Sequence, residues 1–207
     1  MYTTNVSRFS QGRFLLSAAA PGQFPADRGA EVAFVGRSNA GKSSAINAIT
    51  QRNGLARTSK TPGRTRLLNF FEFGAHQRIV DLPGYGYAKG PQAEREAWRP
   101  LIDALKPRVS LRGLFLIVDS RRGLTDGDLA LMDWAEPPLR IHILLTKADK
   151  LNRSESQKVL RETCGIVGDR GSVQLFSVPS KTGIEAARKL LEAWLDDEVF
   201  DSVSPVT

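Results

Sequence analysis

Gly36-Arg37-Ser38-Asn39-Ala40-Gly41-Lys42-Ser43 places two glycines with four residues between them and follows them with lysine and serine. That spacing suits a polyphosphate cradle. The glycines let the backbone approach the phosphates, Lys42 reaches the outer ones, and the Ser43 hydroxyl ligates magnesium. Asp81-Leu82-Pro83-Gly84 supplies a carboxylate able to hold magnesium through water, and a glycine N–H able to meet the terminal phosphate. Thr146-Lys147-Ala148-Asp149 chooses the base. A carboxylate at Asp149 accepts from N1–H and the exocyclic amine of guanine, a donor pair that adenine lacks. The stem of Lys147 can lie over the base plane, and Thr146 still offers a hydroxyl where guanine-binding proteins usually have Asn. Between these sites, Thr58-Ser59-Lys60-Thr61-Pro62-Gly63-Arg64-Thr65 is rich in hydroxyls. Thr61 and Thr65 both have the chemistry to complete a magnesium shell in the triphosphate state.

These residues need a scaffold that brings loop ends together. The apolar run Val32-Ala33-Phe34-Val35 enters the phosphate loop, and Ser44-Ala45-Ile46-Asn47-Ala48-Ile49 leaves it at helical spacing. A helix N-terminus then presents free N–H groups and partial positive charge to the phosphates. Periodicity predicts strands at 31–36, 66–73, 77–82, 112–119, 140–146 and 173–178, and helices at 42–52, 91–106, 126–135, 153–163 and 182–196. This alternation implies an α/β fold: a mostly parallel, six-stranded sheet with helices on both faces. A short turn between 66–73 and 77–82 allows a hairpin there. Residues 1–29 read as an N-terminal extension, 30–196 as the nucleotide-binding domain and 197–207 as a flexible tail. The motifs fall at strand carboxyl ends, where such folds bind ligands.

The 207 residues carry a net charge of +7, which suggests an anionic partner, nucleic acid before membrane. The lone cysteine, Cys164, excludes an internal disulfide framework, fits a reducing cytosol and reads as a packing residue. His76 and His142 suggest no metal site. Phe14–Ala20, after Arg8 and Arg13, resembles a short signal peptide, but its apolar stretch is near the lower length limit and export would separate the site from its nucleotide. No apolar run approaches a membrane span.

The phosphate-loop sequence, Ala56-Arg57-Thr58-Ser59-Lys60-Thr61-Pro62-Gly63-Arg64-Thr65, Asp81-Leu82-Pro83-Gly84-Tyr85-Gly86-Tyr87-Ala88 and Thr146–Lys150 together resemble the EngB (YihA-type) bacterial GTPases, of the Era/EngA-related translation-factor class. The resemblance covers about residues 14–195 and includes Ser17-Ala18, Arg95–Trp98 and Asp119–Arg122. It implies a Ras-like P-loop GTPase domain and a monomeric cytoplasmic protein that hydrolyses GTP to GDP. It also implies a role in assembling the large ribosomal subunit, with its rRNA as partner, and a link to septation in cell division. It prefers Thr65 as the magnesium threonine and places Gly63, Arg64, Arg66 and Leu67 around the nucleotide. Phe176-Ser177-Val178 corresponds to the last base-contacting loop; many members have a second serine at the Val178 position, so a backbone N–H contact would survive there and a hydroxyl contact would not. Asn39 suggests a potassium ion where an arginine finger would otherwise sit.

Tyr85 follows Gly84, where Ras-like enzymes carry the water-orienting Gln, so intrinsic hydrolysis is expected to be slow. Tyr85–Gly90 mixes glycine with aromatics and suits a partner surface that moves with nucleotide state. Arg52, Arg57, Lys60, Arg64 and Arg66 are placed to meet RNA phosphates. Two other readings compete: a nucleotide-gated binding module in which hydrolysis is incidental, and an ATP-using enzyme, which Asp149 opposes.

Overall fold

The apolar run before the phosphate loop is buried at every position from Ala30 to Gly36, as a central strand covered on both faces must be. The computed structural model describes residues 8–56, 67–85 and 100–197. Its strands are β1 (Arg13–Ala18), β2 (Ala30–Gly36), β3 (Leu68–Gly74), β4 (Gln77–Asp81), β5 (Leu111–Asp119), β6 (Arg140–Thr146) and β7 (Gly171–Leu175). They form one sheet in the order β1-β3-β4-β2-β5-β6-β7, and β3 alone runs against the rest. The helices are α1 (Lys42–Ile49), α2 over residues 100–105, α3 (Asp126–Trp134), α4 (Arg153–Val167) and α5 (Ile184–Leu195).

Strand alternation divides the core between the two faces. On β5, Leu114, Leu116 and Val118 face Leu101, Leu105, Leu131 and Met132 of α2 and α3. Phe115 and Ile117 face Ile46 and Ile49 of α1 and Leu191 and Trp194 of α5. Phe115 stacks on Phe34 at 4.8 Å between ring centres and meets Trp194 edge-on at 5.2 Å. Arg188 of α5 closes the far end of α1, donating to the carbonyls of Ile49 at 2.7 Å and Ala48 at 3.3 Å. At the sheet end opposite the motifs, buried Glu31 holds both Arg78 and Arg108 at 2.8 Å.

The fold class is as expected, but the described sheet has seven strands rather than six. The added strand is β1, inside the stretch read as an extension. Its apolar residues do not alternate cleanly, because pairing with β3 shifts register between Phe14 and Leu16. Phe14 is exposed, as edge position permits. Arg13 pairs with Glu72 at 2.6 Å and Ser17 with Asn69 at 2.6 Å, which polarises this border. Helix α4 continues past the expected residue 163 to Val167, whose side chain is buried in the core. Cys164 is exposed on α4 and is not a packing residue. His76 lies in the β3–β4 turn with φ of 63°.

His142 on β6 is buried between Ser172 (2.7 Å) and Gln174 (3.1 Å), and burial pushes its pKa down to about 4. The unfolded chain protonates this ring near 6.5. Its contribution to stability is therefore present above pH 6.5 and is lost as pH falls towards 4, by up to about 3 kcal/mol. Urea unfolding across that window should show the loss, and His142→Gln should flatten it.

Candidate functional site

The phosphate loop takes its shape from three backbone demands. A Cβ on Gly36 would lie 2.5 Å from the Ile117 carbonyl oxygen, so only glycine lets β2 lie this close to β5. Gly41 has φ of 103°, a left-handed conformation that L side chains resist. Asn39 also turns left-handed, with φ of 65°. Lys42 and Ser43 then open α1, so a phosphate held here would face the helix's free N–H groups.

Lys42 is ion-paired with Asp81, the last residue of β4, and both side chains are largely buried. The phosphate loop and the Asp-Leu-Pro-Gly turn are thus one charged constellation. The Ser38 N–H donates to the Tyr85 carbonyl at 2.7 Å, and a Cβ on Gly84 would press on Ser38 at 3.1–3.2 Å. Leu82 is buried and Pro83 half-buried, so this turn is fixed from beneath. One carboxylate and the Ser43 hydroxyl fit a magnesium ion that receives its remaining ligands from phosphate and water. Among the described residues, no group of three or more His, Cys, Asp or Glu could hold a metal by itself.

At the other end, Thr146 is buried at the end of β6. Its hydroxyl donates to the Ala40 carbonyl and lies 3.0 Å from that of Val118. It therefore bridges the phosphate loop to the Thr146–Asp149 turn. Lys147 adopts φ of 58° and donates to the Asn39 carbonyl at 2.6 Å and to Asp119 at 2.8 Å. The Asp149 carboxylate accepts from buried Ser177 at 2.7 Å. That hydroxyl, with lesser help from Lys150, holds Asp149 below the usual carboxylate range, so it stays an acceptor. Ala148 N–H donates to the Phe176 carbonyl at 3.2 Å, which docks the two loops. Phe176 is buried and Val178 is exposed.

Of the expected site residues, Gly36 to Ser43, Asp81 to Gly84, Thr146 to Asp149 and Phe176 to Val178 thus gather at one end of the sheet. Leu67 lies just before β3 and is half-buried. Gly63, Arg64, Thr65 and Arg66 lie outside the described residues, as do Thr61, Arg57, Lys60, Gly86–Gly90 and Arg95–Trp98. One contributor had no role assigned from sequence, and another takes a different one from that expected. Asp119 ends β5 and is held by Arg121 (2.9 and 2.7 Å) and then by Lys147, which together keep it well below the usual carboxylate range. An acid closing an apolar run, as at Asp81, was the available signal. Tyr85 was expected at a moving partner surface, yet it is buried. Its hydroxyl donates to Asp128 of α3, and burial, reinforced by that carboxylate, pushes its pKa up. Its ring lies where a Cβ on Gly127 would be only 3.0 Å away.

Residues 31–147 match the family described as 50S ribosome-binding GTPase. The chain is 47% identical over 195 residues to the probable GTP-binding protein EngB of Coxiella burnetii (strain CbuK_Q154), covering 92% of this chain and 95% of that one. Among solved structures it resembles a probable GTP-binding protein engB (TM-score 0.62, 23% identity, 82% of this chain and 100% of that one). It also resembles Era in complex with MgGDPNP and nucleotides 1506-1542 of 16S ribosomal RNA (TM-score 0.60, 16% identity, 86% and 59%). At these identities the two structures bear on the fold alone.

Proposed function

This chain belongs to the EngB family of GTP-binding proteins, GTPases with a P-loop fold, and from that premise we propose that it is a slow GTP-hydrolysing switch in assembly of the large ribosomal subunit. In this reading it acts as a cytoplasmic monomer on precursor particles and their rRNA, and its effect on septation follows from ribosome supply. No described helix is long and apolar enough to cross a membrane. The triphosphate would be held by Gly36–Ser43, magnesium by Ser43 and Thr65, and guanine by Asp149 with Lys147 and the Phe176–Val178 loop. Magnesium, when bound, neutralises charge on the phosphates; Lys42 binds their outer oxygens and Gly84 N–H meets the terminal one.

The observation that carries the slow rate is Tyr85. It stands where a water-orienting Gln would be, and its side chain is turned into the protein and tied to Asp128. Nothing on that side chain is left to orient water, so acceleration would come from a bound particle or from potassium beside Asn39. GTP hydrolysis should therefore be measured in potassium and in sodium, with and without large-subunit particles. The expected result is stimulation by potassium and by particles. Equal rates under all four conditions would sink the switch and favour a binding module in which turnover is incidental. Sedimentation of ribosomal particles after depletion of the protein tests the assembly role; an unchanged profile would refute it.

A further inference from the structure

A cavity of about 290 Å³ opens between the phosphate loop and the turn that follows β5. Arg37, Arg121, Arg122 and Lys147 line it, against two carboxylates, Asp119 and Asp128. It shares Arg37 to Ala40 and Lys147 with the proposed nucleotide site but not Lys42, Ser43 or Asp149, so it adjoins that site on the side of the turn after β5. Both carboxylates are engaged. Asp119 takes Arg121 and Lys147. Asp128 takes the Tyr85 hydroxyl and both the N–H and the hydroxyl of Thr125, at 2.8 and 2.6 Å. The side chains of Arg37 and Arg122, by contrast, make no hydrogen bond or ion pair among the described residues. The lining therefore keeps an excess of two positive charges, both on forked guanidinium groups. Those geometries match phosphate oxygens better than a point cation would. The volume lies at the bottom of the range of about 300–1,000 Å³ for small-molecule sites, so the cavity suits a group protruding from a larger partner.

We propose that this cleft receives a phosphodiester of an RNA strand, gripped by Arg37 and Arg122. The proposal rests on the reading that the partner is a ribosomal particle, and it names where that partner's backbone touches the chain. Ser38 and Asp128, which hold Tyr85 at its backbone and its hydroxyl, belong to the same lining. A phosphate seated there lies beside the start of the second switch.

The test uses the full chain saturated with GDP, so that the phosphate loop cannot itself capture RNA. Binding of in-vitro-transcribed large-subunit ribosomal RNA is measured by filter retention from about 50 to 200 mM salt. Arg122→Glu is expected to weaken binding about tenfold and to lower the salt slope by about one to two. Lys189→Glu, the same charge change on an exposed position of α5, is expected to change affinity less than about twofold. Both variants should bind GDP as the parent does. Equal losses in the two variants, meaning diffuse attraction, would overturn the cleft, as would undiminished binding by Arg122→Glu. An unmodified chain that fails to co-sediment with large-subunit particles would overturn the ribosomal reading, and the cleft with it.

Discussion

Replacing Asp149 with Asn is expected to weaken GDP binding by about 10²–10⁴-fold and to transfer most of the lost affinity to xanthosine diphosphate. The magnitude follows from two hydrogen bonds to a charged acceptor, each contributing about 1.5–3 kcal/mol. Asp149 is held ionised, first by Ser177, so in the proposed site it would present acceptors to N1–H and the exocyclic amine of guanine. Xanthine has a carbonyl in place of that amine, and a carboxylate would repel it. An asparagine amide supplies the missing donor while its oxygen still accepts from N1–H and from the Ser177 hydroxyl. Calorimetry with both diphosphates decides the matter. A variant that retains the parent's GDP affinity would show that Asp149 does not read the base.

Lys42→Ala is expected to do two separable kinds of damage. It removes the ammonium that would meet the outer phosphates, so GTP binding and hydrolysis should fall below detection. It also leaves Asp81 as a buried carboxylate without its cation, which costs about 3–5 kcal/mol of stability in comparable broken pairs. Adding Asp81→Asn should recover most of the stability, because the orphaned charge is gone, without recovering hydrolysis. Thermal unfolding and phosphate release on the single and double variants separate the effects. If Lys42→Ala unfolds at the parent's temperature, the ion pair has no role in holding the two motifs together.

The convergence of the three candidate motifs was legible because each falls at the end of an apolar strand, and the sheet carries them to one end however long the intervening helices are. The central strands were legible for a related reason: Val32–Val35 is apolar throughout and Ile141–Leu145 is apolar apart from His142, since both faces are covered. Strand β1 was not, because an edge strand with a register shift leaves no clean period in Phe14-Leu15-Leu16. The inward turn of Tyr85 was hidden for a different reason. It depends on Asp128 and on the space beside Gly127, more than forty residues further along the chain, and no local pattern records that meeting. The bridging contact of Thr146 was half-visible: its hydroxyl was available from the sequence, but the Ala40 carbonyl it binds was not.

Arg188 ties the last helix to the helix that leaves the phosphate loop. Lys42 and Ser43 sit at one end of α1, and the carbonyls of Ala48 and Ile49, gripped by the guanidinium, sit at the other. An eight-residue helix is a stiff rod about 12 Å long. Displacement of α5 along that rod would carry the start of α1, and the phosphate loop with it. The last helix is thus coupled, through one side chain, to the backbone that opens on the phosphate loop.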